Sequence, residues 1–103
     1  MLDAAKDALG FAENKTRHAL DGDRMLVLSV VKSIEIMGEA GARVAKECQN
    51  EFPQIPWENI IAMRNRLIHA YFDIDLDRVW DTVTDDLPPL VEELEKILRL
   101  ADD

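Results

Sequence analysis

Eight consecutive residues, Arg64-Asn65-Arg66-Leu67-Ile68-His69-Ala70-Tyr71, gather the side chains of this sequence best suited to chemistry on a phosphate. A histidine moves a proton near neutral pH, and an arginine offers a fixed fork of donors to developing negative charge. Together they suffice for metal-free cleavage of an RNA phosphodiester in which the ribose 2′-OH is the nucleophile. In that reading His69 is the general base or acid and Arg64 stabilises the phosphorane. Asn65 holds the phosphate or the imidazole, and Arg66 is a further phosphate contact. The spacing limits how these groups meet. On a helix Asn65 and His69 share a face, whereas Arg64 and His69 diverge by about 140°. They converge if the helix ends near Ile68, or if two chains pack this segment together and each site draws on both. By spacing alone the string equally fits a histidine in the last turn of a helix, held by the helix dipole.

The charge distribution bears on the same segment. The net charge is −9, which by itself argues against a polyanionic partner. Residues 1–58 carry seven basic and ten acidic side chains, and residues 73–103 carry three basic and eleven acidic. Residues 59–72 contain no acid and hold Arg64 and Arg66, a basic island in an acidic protein. Such segregation steers an anion to one place, although two arginines near a helix end are also a common solvated feature. Arg43 and Lys46 are the other cations placed to help collect RNA, and a dimer would double the island.

Other candidates are weaker. Asp73, Asp75 and Asp77 have the spacing of the first ligands of an EF-hand loop, but Arg78 stands where glycine is required and Thr84 where a bidentate glutamate is required. Helix capping explains them better. Glu35 and Glu39 lie one turn apart without the Glu-x-x-His set of a di-iron site, so pairing with an arginine is expected. His18, beside Arg17, reads as a solvated histidine near a helix end. No metal or other cofactor is called for. The one cysteine, Cys48, excludes an internal disulfide and a thiolate zinc site, so a reducing, cytoplasmic setting is expected. The apolar run Met25–Leu28 stops at Ser29, far short of a membrane span.

These side chains must be positioned by helices. A first helix is expected over Leu2–Leu20, ended by Asp21-Gly22-Asp23. A second, from Arg24 to Gln49, carries the stripe Val27, Val30, Val31, Ile34, Met37, Gly38, Gly41, Val44 and Cys48. Leu26, Ser29, Ser33, Ile36 and Ala40 widen its apolar surface beyond one neighbour's needs, which suggests a subunit partner. Gly38 and Gly41 each cost about 1 kcal/mol of helix propensity against alanine, a loss usually offset by close approach of another backbone. Pro56 opens a third helix that runs to His69, residues 70–74 form a loop, and Asp75 caps a fourth. Pro88 and Pro89 predict a kink or break before Leu90, Leu94, Ile97 and Leu98 resume the stripe. No segment alternates as a strand. The fold expected is all-α, one domain over residues 1–103, an up-and-down bundle of four to five antiparallel helices.

Three strings then bear on identity: Ile34-Glu35-Ile36-Met37-Gly38-Glu39-Ala40, Phe52-Pro53-Gln54-Ile55-Pro56-Trp57, and Met63 through Phe72 followed by Leu76-Asp77-Arg78-Val79-Trp80. Nearly the whole chain resembles the HepT-like branch of the HEPN superfamily, whose motif is matched without a gap by Arg64, Asn65, His69 and Tyr71. The resemblance implies an all-helical homodimer with a cleft between paired motifs, acting as an RNase toxin of a type VII-like toxin–antitoxin pair. It also implies a partner, an MntA-like minimal nucleotidyltransferase that neutralises the toxin by AMPylating Tyr71. The alternative is a noncatalytic helical partner of a nucleotidyltransferase that binds nucleotide or RNA. The acidic composition favours that alternative; the intact Arg64, Asn65 and His69 favour the ribonuclease.

Overall fold

The computed structural model describes residues 1–69 and 74–102, with the side chains of 1–67 and 74–99. Within them the order is α1 (Leu2–Ala12), α2 (Ala19–Gly22), α3 (Arg24–Ala42), α4 (Lys46–Glu51), α5 (Trp57–His69), α6 (Leu76–Asp81), a π-helical turn (Thr82–Asp86) and α7 (Leu87–Asp102). There is no strand among the described residues, and the all-α expectation holds.

Helix α3 is the hub: it packs against α1 on one side and α5 on the other, and also touches α2 and α6, while α7 lies on α1. The sides of α1 and α3 that meet explain this closeness. Helix α1 buries Ala4, Ala5, Ala8 and Ala12, small side chains that let two backbones approach, while Leu2 and Leu9 sit at the margin of the core. Val30, Val31, Ile34 and Met37 of α3 lie at the centre, joined by Leu20, Ile55, Ile60, Val79, Val83, Leu87, Leu90 and Leu94 into one continuous apolar cluster. The molecule is flat, with extents of 44 × 28 × 17 Å.

Three expected helix boundaries are corrected. The first helix stops at Ala12 rather than Leu20, because Asn14 takes a left-handed conformation (φ 62°) and turns the chain; asparagine tolerates that region better than most residues. The second stops at Ala42 rather than Gln49. There the Gln49 side-chain amide donates to the carbonyls of Gly41 (3.3 Å) and Val44 (3.1 Å), so a residue expected inside the helix instead satisfies its open end. At Pro88 and Pro89 the helix does not break. The Leu87 N–H bonds five residues back to the Thr82 carbonyl. The wider π turn leaves both prolines in the first turn of α7, where their missing N–H groups have no helical partner to lose. The expected distortion thus takes the form of a π turn within an uninterrupted helical run from Leu76 to Asp102.

Helix starts follow expectation. Asp23 accepts from the Leu26 N–H (3.0 Å) and caps α3; Asp75 accepts from the Arg78 N–H (3.1 Å) and caps α6. The Pro56 carbonyl accepts from the Ile60 N–H (3.0 Å) to open α5, and the Trp57 indole N–H ties that start to the Phe52 carbonyl (3.0 Å).

Candidate active site

The site is built where α5 lies against α3. A Cβ added to Gly38 would stand 2.5 Å from Arg64 Cβ and 3.2 Å from the Ile60 carbonyl oxygen. The space that any other residue would fill at position 38 is therefore occupied by the stem of Arg64. One turn further along α3, a Cβ at Gly41 would meet Met1 Cε at 3.3 Å and Ile60 Cγ2 at 3.5 Å. The two helices are antiparallel, and the close approach expected of the glycines is realised by a backbone at Gly38 and by side chains at Gly41.

From that anchorage the Arg64 guanidinium reaches back along its own helix. Its Nε and Nη2 both donate to Asn65 Oδ1, at 3.1 and 2.7 Å. Asn65 is exposed and Arg64 partly so, and among the described residues no carboxylate pairs with Arg64. An arginine so held presents a fixed cation at the surface, the arrangement that phosphate recognition requires. His69 is the last residue of α5; its side chain, and Tyr71 with the loop residues 70–73, lie outside the described residues.

The other sequence candidates are dispersed. Arg66 is exposed, but two residues beyond Arg64 it projects about 200° around the helix, so the basic island is not one patch. Arg43 ends α3 and pairs with Glu39 at 3.0 Å across one turn. Lys46 opens α4 and lines a 390 Å³ groove with Trp57, Glu58 and Asn59 at the start of α5, about 18 Å along that helix from its end at His69. Asp77 receives Arg17 Nε at 2.6 Å, and Arg17 Nη1 also meets Asp21 at 2.9 Å. These bonds, that to Asp21 first, raise the guanidinium further above its ordinary range. With Asp75 used as a cap, two of the three EF-hand-spaced aspartates have structural roles; Asp73 lies outside the described residues. His18 is exposed near Asp21 (3.5 Å) and stands at the start of α2 rather than the end of a long first helix.

Two features were not read from the sequence. Asn65 holds the guanidinium, a role that depends on rotamers and leaves no trace in spacing. Glu35 is 5% exposed, its Oε1 has no hydrogen-bond partner among the described residues, and the Lys32 ammonium stands 3.9 Å from its other oxygen. The pairing with an arginine expected for the two glutamates is made by Glu39, not by Glu35.

The fold and the motif agree with comparison to known proteins. The family model described as ribonuclease HepT-like matches residues 1–97, and the chain belongs to this family of ribonucleases. A Methanocaldococcus jannaschii protein provisionally named as an RNase is 31% identical over 99 residues, covering 96% of this chain and 82% of its own. A Thermococcus cleftensis protein provisionally named ribonuclease HepT is 37% identical over 77 residues, 75% of this chain and 70% of its own. In a third relative, named as a gamma-glutamylcyclotransferase and provisionally as an RNase, also from M. jannaschii, 35% identity over 92 residues covers 89% of this chain and 41% of the longer protein. No solved structure matches the chain. Among the described residues no helix is long and apolar enough to cross a membrane.

Proposed function

We propose that the chain is a metal-independent endoribonuclease, the toxin of a toxin–antitoxin pair, whose site is completed by a second copy. The observation that carries this reading is the Arg64 fork: Nε and Nη2 fixed on Asn65 Oδ1, at the surface and one turn before His69. His69 removes the proton of a ribose 2′-OH as that oxygen attacks phosphorus. The P–O5′ bond breaks, a proton is delivered to the leaving 5′ oxygen, and a 2′,3′-cyclic phosphate remains. Arg64 neutralises the charge gathered on the phosphorane oxygens. Because Arg64 and His69 diverge on one helix, pairing of two α5 helices supplies the missing convergence. Exposed Met25, Leu28 and Ile36 along α3 provide apolar surface for such a pairing.

Control is assigned to an MntA-like nucleotidyltransferase that attaches AMP to Tyr71. Each AMP adds a negative phosphodiester and a bulky base beside the arginines. The test is growth arrest on induction together with cleavage of RNA by purified protein. Wild type should be toxic and active in EDTA, and His69→Ala should be folded and inactive. Wild-type rates from folded His69→Ala, or cleavage abolished by EDTA and restored by magnesium, would overturn the reading. Unmodified Tyr71 after coexpression with the transferase would reassign control to docking.

A further inference from the structure

Glu35 is the one side-chain atom site in the described structure that is buried without a partner, and the mechanism above leaves it unused. A carboxylate taken out of water is costly unless a cation or donors meet it. Lys32 does not meet that need: its side chain is 69% exposed and its nitrogen is 3.9 Å from Oε2, while Oε1 receives nothing. Glu39, the next acid one turn on, is already paired with Arg43 at 3.0 Å.

The position of Glu35 indicates which cation it serves. Residues three apart on a helix are surface neighbours, so Glu35 adjoins Gly38. The Arg64 stem fills the space over Gly38, with Cβ 2.5 Å and Cγ 3.2 Å from where a glycine Cβ would stand. Arg64 thus leaves α5 within one turn of the orphan oxygen, well inside the span of an extended arginine. A guanidinium has five N–H donors; Asn65 takes one on Nε and one on Nη2, which leaves three. We propose that Glu35 is a positioning residue for Arg64. In the assembled enzyme its carboxylate accepts from Nη1 on the buried side while Asn65 holds the opposite edge, and the remaining donors face the phosphate. Clamped from two sides, the guanidinium keeps its aim as the phosphorane forms, which is where fixed donors gain most over mobile ones.

This inference rests on the ribonuclease reading for its purpose, but not for its test. The Arg64 Nε–H resonance, followed by NMR in the full chain without RNA, should shift and exchange faster with water in Glu35→Gln while the backbone amide pattern is retained. An unmoved Arg64 resonance would overturn the pairing whether or not the protein cleaves RNA. With RNA, Glu35→Gln should lower kcat at least tenfold with little change in KM. In an Arg64→Lys background the same change should have almost no further effect; losses that multiply would show that Glu35 does not act through Arg64. Should Glu35→Gln not fold, Glu35→Asp keeps the charge but shortens its reach, and the same Arg64 shift and partial loss of kcat are expected. An Arg64 signal and kcat equal to wild type in that variant would sink the proposal.

Discussion

Replacing Gly38 by alanine places a methyl group 2.5 Å from Arg64 Cβ, with the Ile60 carbonyl 3.2 Å away on the other side. Neither neighbour is the far end of a flexible chain, so α5 must move. Overpacking of this kind typically costs about 1–3 kcal/mol. Gly38→Ala is expected to lower the urea midpoint accordingly, despite the better helix propensity of alanine, and to reduce RNA cleavage because Arg64 moves with its helix. Asn65→Ala makes the contrasting case. Asn65 is exposed, so stability should change by no more than about 0.5 kcal/mol, while loss of the Oδ1 acceptor frees the guanidinium and should lower kcat/KM about tenfold or more. A steady-state assay beside a thermal melt separates the two variants. The glycine was legible in the sequence because glycine inside a helix carries a propensity cost that asks for a reason. Asn65 was not, since any of three neighbours could have been its partner and only side-chain torsions decide among them.

Helix beginnings were legible and helix ends were not. Asp23 and Asp75 declare their helices because a cap is a local bond between a side chain and an N–H three residues on. The end of α3 is closed by Gln49 from beyond the break, a bond across five to eight residues that apolar periodicity does not register. Gln49→Ala should leave the Gly41 and Val44 carbonyls to water and cost about 0.5–1.5 kcal/mol, seen as a lower melting temperature and faster hydrogen exchange near the α3–α4 junction. The prolines at 88 and 89 announced a disturbance but not its kind. A π turn accommodates one extra residue without ending the helix, and Thr82 and Thr84 hydroxyls bond to the Arg78 and Trp80 carbonyls (each 2.9 Å) along the same stretch.

At the scale of the whole molecule, the apolar excess on α3 was read from its pattern, and the structure leaves Met25 79% and Ile36 48% exposed on that helix. Substituting a charge there, Ile36→Glu, is expected to give a folded monomer by sedimentation at micromolar concentration and to abolish cleavage, while Arg64 keeps its Asn65 contact. A monomeric wild type that cleaves at full rate would remove the need for a second copy. The basic island was legible as a composition but not as a surface, because Arg64 and Arg66 project to opposite sides of α5 and Lys46 sits at its far end. The 17 Å thickness carries a consequence for dose. A body so thin has little interior to complete a cleft of its own, and when two copies are needed, initial velocity below the dimer's Kd rises as the square of protein concentration. Trace synthesis would then be nearly harmless, and the transition from silence to damage would come over a narrow range of copy number.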